Sequence, residues 1–277
     1  MQIFLTILIC LFASLFAGIG TGFVGMSAAV AITPILMGFL GLPHFEATAI
    51  SLASDVLASA GAAYMYHRHG NVDGKNGLVL LITVIVFTFA GTVVGYYMPN
   101  MAMGIGTLVA ITLMGLKMLI FPHTRIGKSK EGLTRRRKFT YSVLFGALIG
   151  FVCGFVGAGG GMLLLLVLTV FLGYEMHKAV GTSVFVMTFS AFSGAAFHIL
   201  LEWILNDSNK TTELELSPNF FNVMILCIIF TVIFSMVASR FANHMSERKL
   251  NIFSGIMLLF IAVIVAFMQY ALPLIRG

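Results

Sequence analysis

The chain has 277 residues, 59% of them hydrophobic and 9% charged, with a formal net charge of +6. A soluble domain carries about 25% charged residues, so this sequence cannot clothe a water-facing surface and leaves no room for a soluble catalytic domain. The excess cations are gathered mainly in one loop, which argues against nucleic acid as a partner.

A membrane-spanning helix needs about 20 apolar residues, whereas a barrel strand alternates polar and apolar positions. Continuous apolar runs occur at 3–40, 47–66, 77–98, 101–121, 139–173, 179–205, 218–239 and 250–273. They predict an all-α polytopic membrane protein of about eight to ten crossings. The first run lacks a basic leader and exceeds signal-peptide length, so it is read as a membrane segment. Cys10, Cys153 and Cys227 lie singly in apolar runs and form no metal or disulfide pattern. The runs 3–40 and 139–173 are too long for one span, and glycine cuts each of them. The first holds Gly18, Gly20, Gly22 and Gly25; the second holds Gly150, Gly154, Gly157, Gly159, Gly160 and Gly161. Glycine weakens a helix by about 1 kcal/mol relative to alanine, so each long run is expected to divide into two shorter helices.

The two long runs also match each other. Moved forward by 132 positions, Gly18, Gly22, Phe23, Val24 and Gly25 fall on Gly150, Gly154, Phe155, Val156 and Gly157. In the same register Phe39-Leu40-Gly41 falls on Phe171-Leu172-Gly173, Ala47 on Ala179 and Ser51 on Ser183. This predicts an internal duplication, with residues 1–125 as the first transmembrane repeat, 126–138 as a linker and 139–277 as the second repeat.

The joint between the repeats carries Arg125, Lys128, Lys130, Arg135, Arg136, Arg137 and Lys138 against one acid, Glu131. Short loops rich in Lys and Arg stay in the cytoplasm, which places this linker inside. Working backwards, the loop 67–76 is also inside. Working forwards, parity matters. If 139–173 crosses once, the acidic loop 206–217 is inside and the basic loop 240–249 outside. If it forms a two-helix hairpin, both assignments reverse and the charge rule is obeyed. Each half then holds about five helical segments, an odd number, and the halves are inverted repeats with glycine-broken first helices, a known transporter design. A four-plus-four arrangement is the alternative, and whether the broken segments span fully or re-enter is left open.

Several positions carry candidate chemistry. Gly157-Ala158-Gly159-Gly160-Gly161 precedes an apolar stretch and reads as a helix start with exposed backbone N–H groups, which favour an anion. The matching stretch in the first half is Gly25-Met26-Ser27, where the serine can cap a helix or offer its hydroxyl to a ligand. Spaced pairs such as Gly18/Gly22, Gly91/Gly95 and Gly150/Gly154 fit close helix packing, but three consecutive glycines exceed what packing on one face requires. The hydroxyls of Thr48, Ser51, Thr182 and Ser183 follow at the next helix starts, able to bind oxyanions or to bond back to the preceding turn. Asp55 is an acid deep in a predicted span, where ionisable groups face a cavity or a partner; it and His198 are candidates for proton coupling. No metal site and no catalytic set is visible, so neither a cofactor nor an enzyme is expected.

The stretch GFVCGFVGAGGG from Gly150, with KAVGTS ending at Ser183, resembles the TauE/SafE family of sulfite exporters, and GIGTGFVGMSA with ATAISLASD resembles a degraded copy of the same motif. The resemblance implies proton-linked transport of sulfite, sulfonates or related anions across the cytoplasmic membrane. It departs from the family at Met26-Ser27-Ala28-Ala29, where members often keep more glycine. The expected partners are therefore a small anionic substrate and the lipid bilayer, with homodimerisation left open. The expected substrate site comprises Gly25, Met26, Ser27, Ser51, Gly157, Ala158, Gly159, Gly160, Gly161, Thr182 and Ser183. A non-transporting membrane scaffold, needing its glycines only for packing, is the rival reading.

Overall fold

Alternate turns of the 25-residue helix Phe220–His244 set out the physics of the fold. Phe221, Ile225, Ile229, Ile233, Val237 and Phe241 recur every fourth residue and are all exposed. The opposite face buries Cys227, Thr231, Ser235, Ala238, Ser239 and Ala242. In water this arrangement would be inside out. In lipid it is expected, because tails are as apolar as the stripe and small residues let neighbouring backbones approach.

The computed structural model describes residues 2–42, 44–96, 108–109, 112–113, 115–120, 135–156, 160–206 and 220–267. Among them the chain is all-helical. Helix α1 (Gln2–Ile19) continues as a π-helix, Gly20–Val24, and α2 (Ala29–Ile35) as another, Leu36–Leu40. Then come α3 (His44–Arg68), α4 (Gly74–Tyr96), α5 (Arg135–Val156) and α6 (Gly161–Leu166), the last prolonged by a π-helix at Val167–Phe171. The chain continues with α7 (Met176–Asn206), α8 (Phe220–His244) and α9 (Glu247–Ala266). Among the described residues, five stretches are long and apolar enough to cross a membrane: Phe4–Val24, Gly77–Val94, Met176–Phe197, Phe220–His244 and Glu247–Ala266. The basic residues Arg135–Lys138, read from sequence as linker, form the first turn of α5; Arg and Lys are good helix formers.

Both long apolar runs are broken, as their glycines predict. The first breaks at 25–28, where Gly25 takes a left-handed φ of 69°. The second resumes at Gly160, with φ 61°, immediately before α6. The returning arms are short: residues 161–171 rise about 16 Å and residues 29–40 about 18 Å, roughly half of a hydrocarbon core of about 30 Å. Phe171 packs on Phe145 at 4.1 Å between ring centroids, so the second arm folds back along α5.

Glycine contacts give the helix directions. A Cβ placed on Gly146 would meet Thr83, one on Gly150 would meet Val84, and one on Gly154 would meet Thr88 and Thr92, so α4 and α5 run parallel. A Cβ on Gly18 would lie 2.5 Å from that of Phe234, and one on Gly22 2.5 Å from that of Ala238, so α1 and α8 are parallel too. Gly18/Gly22 and Gly150/Gly154 are the pairs that match in sequence, and each lines a helix of the other half of the chain. The packing reading of these pairs agrees with the geometry.

One end of the bundle gathers three connections. Asn71 Nδ2 donates to Asn243 Oδ1 at 2.7 Å, and the rings of His69 and His244 meet edge-on at 5.7 Å. The Tyr174 hydroxyl donates to Asp73 Oδ2 at 2.7 Å. The loops near 70, 174 and 244 therefore share one face, as the hairpin alternative requires and a single crossing by 139–173 does not allow.

Candidate functional site

Helix α3 is the inner element from which the site is built. Ser51, Ser54, Asp55, Ser59 and Tyr66 are all fully buried on it. Ser54 and Ser59 bond back to carbonyls of their own helix, Ile50 and Asp55. Asp55 instead reaches across to the first glycine break. Its Oδ1 accepts the Ala28 N–H at 2.8 Å and its Oδ2 accepts the Ser27 hydroxyl at 2.5 Å. Ser27 Oγ in turn accepts the Ala29 N–H at 3.3 Å. The orphan donors at the start of α2 are thus met by a carboxylate that the chain itself supplies.

The carbonyls that end the preceding helix are met in the same way. Tyr66 donates its hydroxyl to Gly22 O at 2.9 Å, Ser254 donates to Phe23 O at 3.3 Å, and Thr21 donates to Met26 O at 2.9 Å. In hydrocarbon no water is present to do this, so side chains from α3, α9 and the π-helix Gly20–Val24 hold the break open.

The two breaks meet back to back. A Cβ on Gly161 would run into the carbonyl oxygen of Gly25, and one on Gly25 would run into Ser183 Oγ. Gly161 is also covered by Met187, whose Sδ would lie 2.6 Å from that Cβ. Met187 is the residue 132 positions after Asp55. A Cβ on Gly160 would strike Cys153 Sγ. The Cβ sides of Gly160 and Gly161 are therefore closed by packed neighbours, so these two glycines also serve close packing. The pattern reveals that a side chain is missing, but not what fills the gap.

Of the other expected site residues, Met26 is fully buried, and its N–H donates to Gly20 O at 3.1 Å. Ser51 and Ser183 are buried and make the same back-bond, to Thr48 O and Val180 O, each at 2.8 Å. Ser51 also accepts the Thr33 hydroxyl at 2.8 Å. Thr182 accepts the Asp73 N–H at 3.0 Å and so belongs to the loop contacts as much as to the breaks. Gly157, Ala158 and Gly159 lie outside the described residues, as does the side chain of His198 on α7. Sequence reasoning missed Tyr66, Thr21 and Ser254. No motif marks them, although a tyrosine or serine inside an apolar run hints at a buried polar partner. Among the described residues no group of three His, Cys, Asp or Glu side chains could hold a metal ion.

Lipid-facing stripes around a core that buries Asp55 and a set of hydroxyls at two apposed helix breaks define a multi-pass membrane protein of the transporter type. The chain belongs to the family described as Sulfite exporter TauE/SafE, whose profile matches residues 10–265. It is similar to "Probable membrane transporter protein YdhB" of Bacillus subtilis, 25% identical over 66% of this chain and 74% of the relative. It is also similar to "Probable membrane transporter protein YunE" of the same organism, 23% identical over 67% and 76%. A "Probable membrane transporter protein" of Haemophilus influenzae is 26% identical over 72% and 76%. No solved structure matches the chain.

Proposed function

We propose that the chain is a secondary transporter for small anions, with sulfur oxyanions such as sulfite or organosulfonates as cargo and protons as the coupling ion. Two inverted halves, residues 1–125 and 139–277 joined by a cytoplasmic linker, enclose the path in the cytoplasmic membrane. The observation that carries the reading is the apposition of the two breaks beside the buried Asp55–Ser27 pair. A scaffold that needs glycine for packing has no reason to bury a carboxylate at a break in its helices. Ser27, Ser183 and the backbone at Gly25 and Gly161 are the groups that would meet an anion once the breaks separate. No arginine is needed among them: hydrogen bonds and helix dipoles hold an anion weakly enough for release. The family membership supports sulfite as the first cargo to try.

The test is flux of radiolabelled sulfite, sulfate, thiosulfate and taurine into vesicles holding the purified protein. Sulfite or a sulfonate should exceed the flux in empty vesicles, and a proton gradient should raise it. Asp55→Asn should reduce uphill movement while substrate binding stays measurable. A panel in which no anion moves faster than in empty vesicles would sink the proposal.

A further inference from the structure

The polar contacts at the shared end of the bundle lie next to the apposed breaks, and a transporter must close and open its path at each side. On the transporter reading, we propose that the loop 69–73, the start of α7 and the α8–α9 turn form the cytoplasmic gate, held shut in this structure by a clasp across the molecule. Arg68, Lys178, Arg240, Arg248 and Lys249, all exposed, mark this end as the cytoplasmic one.

The clasp has three strands. Asn71 is tied to Asn243 at 2.7 Å, with His69 against His244 beside it. The Asp73 N–H reaches Thr182, while its carboxylate accepts Tyr174 at 2.7 Å. Glu247 accepts the N–H of Met176, the first residue of α7, at 3.1 Å, and His177 Nε2 lies 3.0 Å from Ala242 O. Every strand joins segments far apart in sequence.

The chemistry differs from that of the bundle below. Helices there are pressed together at glycines and small residues, and the hydrogen bonds between them, such as Tyr66 to Gly22 O and Ser235 to Ala58 O, are buried where no water can replace them. The clasp is made of hydrogen bonds at the water-facing end, each worth about 0.5–1.5 kcal/mol net, because water offers equivalent partners when they part. Such a seam opens locally without melting the core. Gly181 adds a second sign: a Cβ there would enter the carbonyl of Asn71 and lie 2.9 Å from Tyr66 Cβ. The loop therefore lies directly on the α7 backbone at Gly181. One residue further is Thr182, bonded to the loop, and the next is Ser183, against Gly25. Lifting the loop would bare the segment that leads to the breaks.

The experiment joins Asn71→Cys to Asn243→Cys in a chain whose Cys10, Cys153 and Cys227 are alanine. A short bis-methanethiosulfonate then bridges the pair in vesicles. Bridging should lower sulfite flux at least about tenfold, since a locked gate stops the cycle, and a reductant should restore it in the same sample. Bridged protein that carries sulfite as fast as the same sample after the reductant is added would overturn the gate. A second arm needs no cargo. Ser183→Cys, alone among cysteines, is labelled from the cytoplasmic side with an impermeant thiol reagent, with and without Asn71→Ala and Asn243→Ala. Opening the clasp should speed labelling at least about fivefold, following the open population; an unchanged rate overturns the gate even where sulfite moves. Faster labelling in a protein that moves no sulfite would uphold the gate and reject the cargo.

Discussion

The two glycine breaks share a sequence pattern and differ in chemistry. At the first, Asp55 reaches over from α3 and takes the Ser27 hydroxyl and the Ala28 N–H. At the second, the position in register with Asp55 is Met187, which lies on Gly161 without offering a charge. One break is closed by a carboxylate that belongs to the chain, and the other is covered by a soft thioether. A shared glycine pattern thus marks where each run breaks and does not determine what fills the break. On the transporter reading proposed above, the site has unequal sides, with a carboxylate at the first break and a thioether at the second.

The largest expected effect breaks the apposition itself. Gly161→Ala drives a methyl group into the backbone carbonyl of Gly25, a clash no side-chain rotamer relieves. Overpacking costs about 1–3 kcal/mol where side chains can move, and more is expected here. Most of the variant should be lost from the folded peak on size-exclusion in detergent. A normal yield and melting temperature would mean that the breaks do not press together.

A second pair of variants sharpens the difference in filling. Asp55→Leu takes one partner from the Ser27 hydroxyl and removes the acceptor of the Ala28 N–H in an apolar interior, at about 1–3 kcal/mol for a buried donor left unmatched. Met187→Leu keeps volume and polarity and should cost less than about 1.5 kcal/mol. Melting temperatures in detergent should therefore fall clearly for the first and barely for the second. Equal losses would erase the asymmetry. Tyr66→Phe removes the donor to Gly22 O and keeps the ring, so a smaller loss of about 1 kcal/mol is expected. No change in melting temperature would show that this carbonyl finds another donor.

The sequence made the helical, membrane-spanning character legible because lipid leaves little choice: continuous apolar runs can only be helices. The glycine spacings at 18/22 and 150/154 were equally readable, since a gap every fourth residue is a groove for a neighbouring helix. Asp55 stood out as a charge in a span, but its partner did not, because the pairing with Ser27 depends on how α3 lies against α2. What packs on the Cβ side of Gly160 and Gly161 was hidden for the same reason. Cys153 and the Gly25 carbonyl come from other turns and other segments, and no local pattern announces them. Ser51 and Ser183 recurred in register and share the same back-bond, whereas Thr182 turned out to be held by a loop 109 residues away.

The most direct test of the central claim, that an anion is held where the two breaks meet, is sulfite affinity of Ser183→Ala. Ser183 donates to a carbonyl of its own helix, Val180 O, so its removal strands no buried donor and should leave the melting temperature close to that of the parent. Affinity measured by calorimetry in detergent should nevertheless fall about tenfold, equivalent to about 1.4 kcal/mol. A variant that binds sulfite as tightly as the parent would contradict the account and remove the junction of the breaks from the transport path.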